Sequence, residues 1–344
     1  MDDRPGWRRR RLSDERRQED RAATQSFFLL LFPHNLSEND GGIKGEGRMS
    51  KNITKKCHWV PQAYLRNFAC PPESEEKIWR LSKETLVAER KPIAKVAVKF
   101  HLYSPQDTAG RRDDRFERKL GDLETWFGSP AWKALCGDFP DYSKSWFRKM
   151  ISLLVATMYL RNPSVLEWTK GFHQSVLASA KGNSRPPSHI RIGQTSSEIS
   201  EDTWAEYLGA NDEDLKRAWI SIVEKCGWFA EQLMSLRWAI LISERPVFVT
   251  SDNPVAFYHP SLQFKGMNDP QTFLMFPLSP TRVLTMDHRH DQPDGRYYPL
   301  NHSGASTNTL IWRNSIEHMF SSRHPDTVCE EMVADAEAMG FASH

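Results

Sequence analysis

The apolar positions of the chain change their spacing twice, and these changes predict where helices and strands lie. Between 113 and 236 the apolar residues recur three and four positions apart, as on one face of an α-helix. Before and after this stretch, short runs such as 77–81 and 237–242 are rich in aliphatic and aromatic residues, which is typical of strands. The pattern predicts an α+β fold, with a predominantly helical core and short antiparallel strands or hairpins near both ends.

The boundaries of these elements follow from local signals. Proline cannot continue the hydrogen-bond ladder of a helix, so the long helical segment should break at Arg161-Asn162-Pro163. The Ser-, Gly- and Pro-rich stretch 182–200 is predicted to be a flexible insertion. Helices are expected at 113–127, 143–181, 202–207, 212–236, 301–313 and 326–339. Strands are expected at 77–81, 86–90, 96–103, 237–242, 246–250, 273–276, 282–286 and 319–321, with a polar turn region at 287–299.

The first 48 residues differ in composition from the rest of the chain. Residues 7–21 form a mixed-charge run and 37–48 are polar and rich in glycine, as in disordered segments. Met49 precedes Ser-Lys-Asn-Ile-Thr and would serve as a natural start. Two interpretations therefore stay open, a disordered extension or an over-extended gene model, while 49–344 is predicted to be a single domain.

Composition limits the classes of function. The net charge is only +2 in 344 residues, so charge gives no support to nucleic acid as a partner. The five cysteines are scattered without a CxxC pair, which argues against a disulfide framework and a structural zinc site and favours a reducing cytoplasm. The early apolar run 27–32 is far shorter than the roughly 20 residues of a membrane span, so no membrane partner is expected. No P-loop, GxSxG, HExxH or dinucleotide fingerprint occurs, and the cofactor is unknown.

The first candidate site is the stretch 57–68, which brings an imidazole, a phenol, a guanidinium and an amide close together in sequence. Pro61 suits the first turn of a helix, so a short helix should follow it, with His58 just outside the positive end. That position favours a neutral imidazole that acts as acceptor, base or ligand. The alternative is that His58 only caps the helix and Tyr64 lies in the core.

The second candidate is the stretch 250–255, where Asp252-Asn253-Pro254 directly follows a predicted strand. A side chain at the end of a strand is well placed to serve a site at the edge of a sheet. Asp252 would then be a base, a ligand or the group that orients His58. The alternative is an Asx turn closed by the proline.

Arg161 ends a helix that is apolar nearly all round. A buried guanidinium needs an anionic partner, and Glu117, Glu124, Asp252 or a ligand phosphate or carboxylate would serve. The alternative is that Arg161 reaches solvent. Glu117 and Glu124 are seven positions apart on one helix face, which is either a carboxylate row aimed at a site or a solvated face. The run His288-Arg289-His290-Asp291 lacks further spaced ligands, so no metal site is predicted.

Several short motifs occur in order along the chain: HxxPxxYLxxF at 58–68, FHLY at 100–103, RNP at 161–163, TSDNPV at 250–255 and FPLSP at 276–280. Over 56–325 this series resembles the bacterial family catalogued as domain of unknown function 4238. The resemblance implies a shared α+β domain and supplies no established activity. The usual first motif has a second histidine where this chain has Cys57, and a tyrosine is common at Trp59. If that histidine were a metal ligand, Cys57 would replace it or the site would be altered.

These observations predict a hydrolase or nuclease-like enzyme that acts on an anionic, phosphate-containing substrate. The predicted catalytic residues are His58, Asp252 and Asn253, and the predicted substrate-binding residues are Tyr64, Arg66 and Arg161. The alternative is a non-catalytic ligand- or partner-binding module in which these side chains form a buried polar network. A hydrogen bond between His58 and Asp252 in an open cleft would favour the enzyme, and burial of both without a cleft would favour the module.

Overall fold

A computed structural model describes residues 55–70, 76–180, 200–262, 265–300 and 303–338, together with the backbone of two strands between 189 and 198. The predictions made for 1–48 lie outside the described residues, as does much of the insertion predicted at 182–200. Helices and sheets are both extensive in this part of the chain, so the α+β class is confirmed. None of the described helices is long and apolar enough to cross a membrane.

The helices of the described residues fall mainly in the middle of the chain. In chain order they are α1 Gln62–Leu65, α2 Arg115–Glu124, α3 Pro130–Gly137, α4 Ser145–Leu160, α5 Pro163–Ala180, α6 Glu201–Leu208, α7 Asp212–Glu224, α8 Gly227–Ser235, α9 Ala305–Asn314 and α10 Pro325–Ala338. The break predicted at Arg161 separates α4 from α5. The single helix expected over 212–236 is wrong, because α7 ends at Glu224 and α8 begins at Gly227, with a turn at Lys225-Cys226 between them.

Local chemistry accounts for where α7 begins. The side chain of Asn211 accepts a 3.1 Å hydrogen bond from the backbone N–H of Asp214. In return the Asp214 carboxylate accepts a 3.0 Å bond from the backbone N–H of Asn211. This reciprocal capping box satisfies two backbone donors that would otherwise be unpaired at the helix start.

The strands form two larger sheets and two ribbons. In chain order they are β1 Lys56–His58, β2 Lys77–Ser82, β3 Ala88–Pro92, β4 Val98–Phe100, β5 His189–Ile192, β6 Thr195–Glu198, β7 Arg237–Ile242, β8 Thr250–Ser251, β9 Ala256–Tyr258, β10 Phe273–Ser279, β11 Arg282–Asp287, β12 Arg296–Pro299 and β13 His318–Ser321. One sheet has the order β12-β7-β11-β10-β9, and the other has the order β3-β2-β13-β8. β1 pairs with β4, and β5 with β6.

Some predicted strands differ from the observed ones. The strand expected at 96–103 shortens to β4, because Ala97 and His101 have φ angles of 47° and 54° and interrupt the extended backbone at both ends. The polar region at 287–299 contains β12, which pairs in parallel with β7. Of the strand expected at 246–250, only the last residue is paired, and it begins β8.

The second sheet brings distant parts of the chain together. β13 lies between β2, from the early hairpin, and β8, from the TSDNPV motif. Phe320 of β13 is opposite Arg80 on one side and Thr250 on the other. Because β8 runs antiparallel to β13, Asp252 at the end of β8 lies beside His318 at the start of β13. The register of this sheet therefore fixes where the second candidate stretch, 250–255, lies.

Candidate functional site

Asp252 is buried, with 1% of its side chain exposed, and its carboxylate binds the main chain. It accepts hydrogen bonds from the backbone N–H groups of Ile316 at 2.8 Å, Glu317 at 2.8 Å and His318 at 2.9 Å. Burial raises the pKa of Asp252 to about 6, although the three N–H donors act to lower it. The carboxylate therefore fastens the turn after β8 to the segment that leads into β13.

The main-chain oxygen of Asp252 joins the other motifs. It accepts a 2.8 Å hydrogen bond from the indole nitrogen of Trp59 and a 3.0 Å bond from the side-chain amide of Asn162. Trp59 follows His58 in the first motif, and Asn162 follows Arg161 in the RNP motif. The structure thus brings three predicted stretches together, through residues adjacent to those predicted to be functional.

The side-chain amide of Asn253 is also held within the protein. Its nitrogen donates to the carbonyl of Asn314 at 3.1 Å, and its oxygen accepts from Asn162 at 3.2 Å. Asn314 donates back to the main-chain oxygen of Asn253 at 2.7 Å. Asn253 is therefore placed as a cross-link between α9 and the start of α5.

Arg161 is 2% exposed and is anchored on three sides. Its guanidinium binds the carboxylate of Glu124 at 2.5 Å, the hydroxyl of Tyr103 at 3.3 Å and the main-chain oxygen of His58. The hydroxyl of Tyr103 donates in turn to the carbonyl of Arg161 at 2.8 Å. Of the partners considered from sequence, the structure supplies Glu124.

His58 has partners of its own. Its Nε2 lies 3.3 Å from the carbonyl of Ala94, and its Nδ1 lies 3.4 Å from the amide nitrogen of Gln62. A carbonyl only accepts and an amide nitrogen only donates, so these contacts fit a neutral ring protonated on Nε2. Burial lowers the pKa of His58, which agrees with the neutral ring expected from sequence. Among the described residues, no hydrogen bond joins its imidazole to the carboxylate of Asp252.

The two remaining predicted residues lie in different environments. Tyr64 is fully buried; its hydroxyl donates to the carbonyl of Pro277 at 2.8 Å and lies 2.7 Å from the hydroxyl of Thr250. Its ring stacks on Phe276 with centroids 5.3 Å apart. Tyr64 therefore joins the first motif to TSDNPV and FPLSP. Arg66 is at the surface, 3.2 Å from Glu76.

Three residues outside the predicted site, Glu117, Glu317 and His318, also have features of a functional site, the last two together with Asp252. Glu117 lies on the same face of α2 as Glu124, and one of its carboxylate oxygens is buried without a hydrogen-bond partner. Burial raises the pKa of Glu117 to about 7, against opposing effects of Arg161 and the Cys57 thiol. In the sequence, the seven-residue spacing of Glu117 and Glu124 was the signal for this arrangement, since it places both residues on one helix face.

Asp252, Glu317 and His318 form a group in which each residue offers one ligand atom within 4.8 Å of the others. Within the part of the chain that the structure describes, it is the one group of acidic, cysteine and histidine side chains with metal-like spacing. The histidine run considered from sequence is different, because Nε2 of His288 is 2.7 Å from the carbonyl of Met267. Only the position of His318, just before a predicted strand, hinted at this group.

Comparison with known proteins gives a family. The family described as "Protein of unknown function (DUF4238)" matches residues 56–325, so the chain belongs to it. No curated protein and no solved structure matches the chain. Family membership therefore agrees with the motif series and assigns no activity.

Proposed function

We propose that this protein is a non-catalytic binding module for an anionic, phosphate-containing ligand. In this proposal the five family motifs mainly hold the fold, and the ligand binds on the ribbon formed by β1 and β4, which contains only the first residues of two motifs, His58 and Phe100. The observation that carries the proposal is that Lys56, His58 and Phe100 lie on one face of this ribbon. The free cysteines of the chain agree with a module that works in the cytoplasm.

The polar groups predicted to be catalytic have little capacity left for a substrate. The Asp252 carboxylate uses three of about four acceptor positions on backbone N–H groups, and it is buried. The Arg161 guanidinium is buried against a carboxylate, a hydroxyl and a carbonyl. Buried polar groups that satisfy one another in this way specify a fold, whereas a substrate would have to displace them.

The ribbon differs from these buried groups, because it presents exposed side chains. β1 and β4 are antiparallel, with Lys56 opposite Phe100 and His58 opposite Val98. Residues opposite each other in a ladder, and residues two apart along a strand, project from the same face. The ammonium of Lys56, the imidazole of His58 and the ring of Phe100 therefore share one face. Phe100 is 68% exposed, so its ring is open to contact by a ligand.

More lysines lie on or beside the ribbon. Lys55, Lys95 and Lys99 are exposed, and none of them, nor Lys56, forms an ion pair with a described residue. Lys99 is opposite Cys57 and projects from the other face, where its ammonium lies over the ring of Trp59 at 5.8 Å. Several unpaired ammonium groups beside an exposed aromatic ring are the elements with which proteins bind phosphates and stack bases. The small net charge of the chain does not oppose this, because the positive charge is local.

Binding of a labelled single-stranded oligonucleotide, measured by fluorescence anisotropy, tests the proposal. The double substitution Lys56→Gln with Lys95→Gln, where Lys95 follows Ala94, the residue whose carbonyl contacts His58, should weaken binding at least tenfold and should reduce the salt dependence of the affinity. The matched control is Lys133→Gln with Lys225→Gln, two exposed lysines on α3 and after α7. Competition by a nucleoside triphosphate or by pyrophosphate distinguishes a small phosphate ligand from a polymer. No binding of any of these phosphates, or equal loss in both double variants, would overturn the proposal.

A hydrolase remains the second candidate, and Glu117 is the observation in its favour. A carboxyl group with a pKa of about 7 and a free oxygen is suited to general acid–base catalysis at neutral pH. The test is hydrolysis of phosphodiesters and phosphomonoesters by the wild type, Glu117→Gln and His58→Ala. Turnover that Glu117→Gln abolishes, with folding intact, would replace the binding module with the enzyme.

A further inference from the structure

We propose that Asp252, Glu317 and His318 form a binding site for a divalent transition metal, with zinc as the best-fitting ion. The Nδ1 atom of His318 lies 3.8 Å from Oδ2 of Asp252 and 3.7 Å from Oε2 of Glu317. Both distances are too long for hydrogen bonds. Nδ1 of His318 therefore faces two carboxylate oxygens across a gap. The His318 side chain is 20% exposed, so the gap lies near the surface.

The gap has the dimensions of a zinc site. Zinc binds imidazole nitrogen and carboxylate oxygen at about 2.0–2.2 Å with tetrahedral geometry, so its ligand atoms lie about 3.4 Å apart. The two separations from Nδ1 of His318 exceed this by only a few tenths of an ångström, and all three ligand atoms lie within 4.8 Å of one another. Imidazole and carboxylate together favour zinc and similar transition metals over magnesium or calcium, which prefer oxygen alone. Water would complete the coordination.

The ligands are positioned to different degrees. Asp252 is fixed by three backbone N–H groups, two on Oδ2 and one on Oδ1, so the acceptor position left for the ion is on Oδ1, the other oxygen of the carboxylate that His318 faces. His318 is held by β13, where it lies opposite Ser82 of β2. Glu317 is 60% exposed, so its side chain is free to move onto the ion. Two fixed ligands and one adjustable ligand need little rearrangement to bind a metal.

Nearby positive charge opposes the ion and gives the proposal a specific consequence. The ammonium of Lys83 donates to the carbonyls of Arg313 at 3.0 Å and Ser315 at 2.7 Å, and its charge acts on Asp252. Repulsion between this charge and a dication should weaken binding. The substitution Lys83→Met should therefore raise zinc affinity several-fold, a result that a non-specific site would not give.

Isothermal titration of the tag-free, chelator-treated full chain with zinc chloride tests the site. We expect one ion per chain and a higher Tm, since the ion binds only the folded arrangement. The substitution His318→Ala should weaken binding at least tenfold, as should the surface substitution Glu317→Gln, which does not depend on an altered strand. His290→Ala is the matched control, because His290 is an exposed histidine from the other candidate run.

Each outcome bears on the proposal. Absence of zinc binding, full binding by His318→Ala or Glu317→Gln, or loss of binding in His290→Ala would overturn it. The double variant of Lys56 and Lys95 should bind zinc like the wild type, so failure of the phosphate-binding proposal would leave this one unaffected. If His318→Ala does not fold, Glu317→Gln decides the question.

Discussion

The indole nitrogen of Trp59 donates a 2.8 Å hydrogen bond to the main-chain oxygen of Asp252, 193 positions further along the chain. The side-chain amide of Asn162 reaches the same oxygen at 3.0 Å. The residues just before these two donors, His58 and Arg161, are in contact with each other through a carbonyl and a guanidinium. The first motif and the RNP motif thus contact each other, and both donate a hydrogen bond to Asp252. These contacts fix the relative positions of β1, α5 and β8.

Replacing Trp59 tests how much this meeting point stabilises the fold. Trp59→Phe removes the donor but keeps an aromatic ring, and we expect a loss of about 1–2 kcal/mol in the free energy of unfolding. Urea denaturation measures it. The control is Trp146→Phe, at a position that is 59% exposed, where a change within about 0.5 kcal/mol is expected. Equal losses in the two variants would contradict the role given to Trp59.

Replacing Arg161 should lower the free energy of unfolding more than replacing Trp59. Arg161→Met leaves the Glu124 carboxylate and the His58 carbonyl without their buried donor, and we expect a loss of about 3–5 kcal/mol. Adding Glu124→Gln should restore part of this loss of stability, because the neutral amide leaves no carboxylate charge without a partner. A double-mutant cycle in denaturant gives the coupling between the two residues. Additive effects would show that the pair is not coupled.

The buried glutamate predicts a pH dependence. Burial raises the pKa of Glu117 from about 4.5 to about 7, so the folded protein keeps a proton that the unfolded chain has lost. Stability should therefore fall as pH rises from about 4.5 to 7, by about 2 kcal/mol after allowance for partial exposure. Asp252, whose pKa is raised to about 6, contributes to the fall below pH 6, so Glu117→Gln should remove the fall between pH 6 and 7 and should be more stable than the wild type at pH 8.

The control for that experiment is Glu206→Gln, at an exposed position on α6, which should keep the pH dependence of the wild type. Thermal unfolding between pH 4.5 and 8 gives the comparison. A variant of Glu117 whose stability still falls between pH 6 and 7 as steeply as that of the wild type would show that another group is responsible.

Local elements were predictable from the sequence because their causes are local. Pro163 breaks the helical segment where expected, and the hairpin of β2 and β3 follows its strand-like runs. The limits of β4 were not predictable, because positive φ angles at Ala97 and His101 are set by the surrounding structure. Nor was β12, whose parallel partner β7 lies far away in sequence.

The sequence predicted which residues belong to the candidate site better than it predicted what those residues do. The sequence singled out His58, Arg161 and Asp252, and the structure brings their motifs together. It could not show that the Asp252 carboxylate accepts from backbone N–H groups 64 to 66 positions away, because such donors belong to any residue and have no signature. Spacing alone also could not tell a row of glutamates that faces inward from one that faces solvent.

The central claim is that the motif network holds the fold while the ribbon binds the ligand. Asp252→Asn tests it most directly, because the new amide places a donor against three backbone donors and should cost about 2–4 kcal/mol of stability. The measurement is the oligonucleotide Kd of this variant, at a temperature where circular dichroism shows it folded. We predict a Kd within twofold of the wild type together with a lower Tm. An unchanged Tm with binding abolished would contradict the claim and return Asp252 to the ligand site.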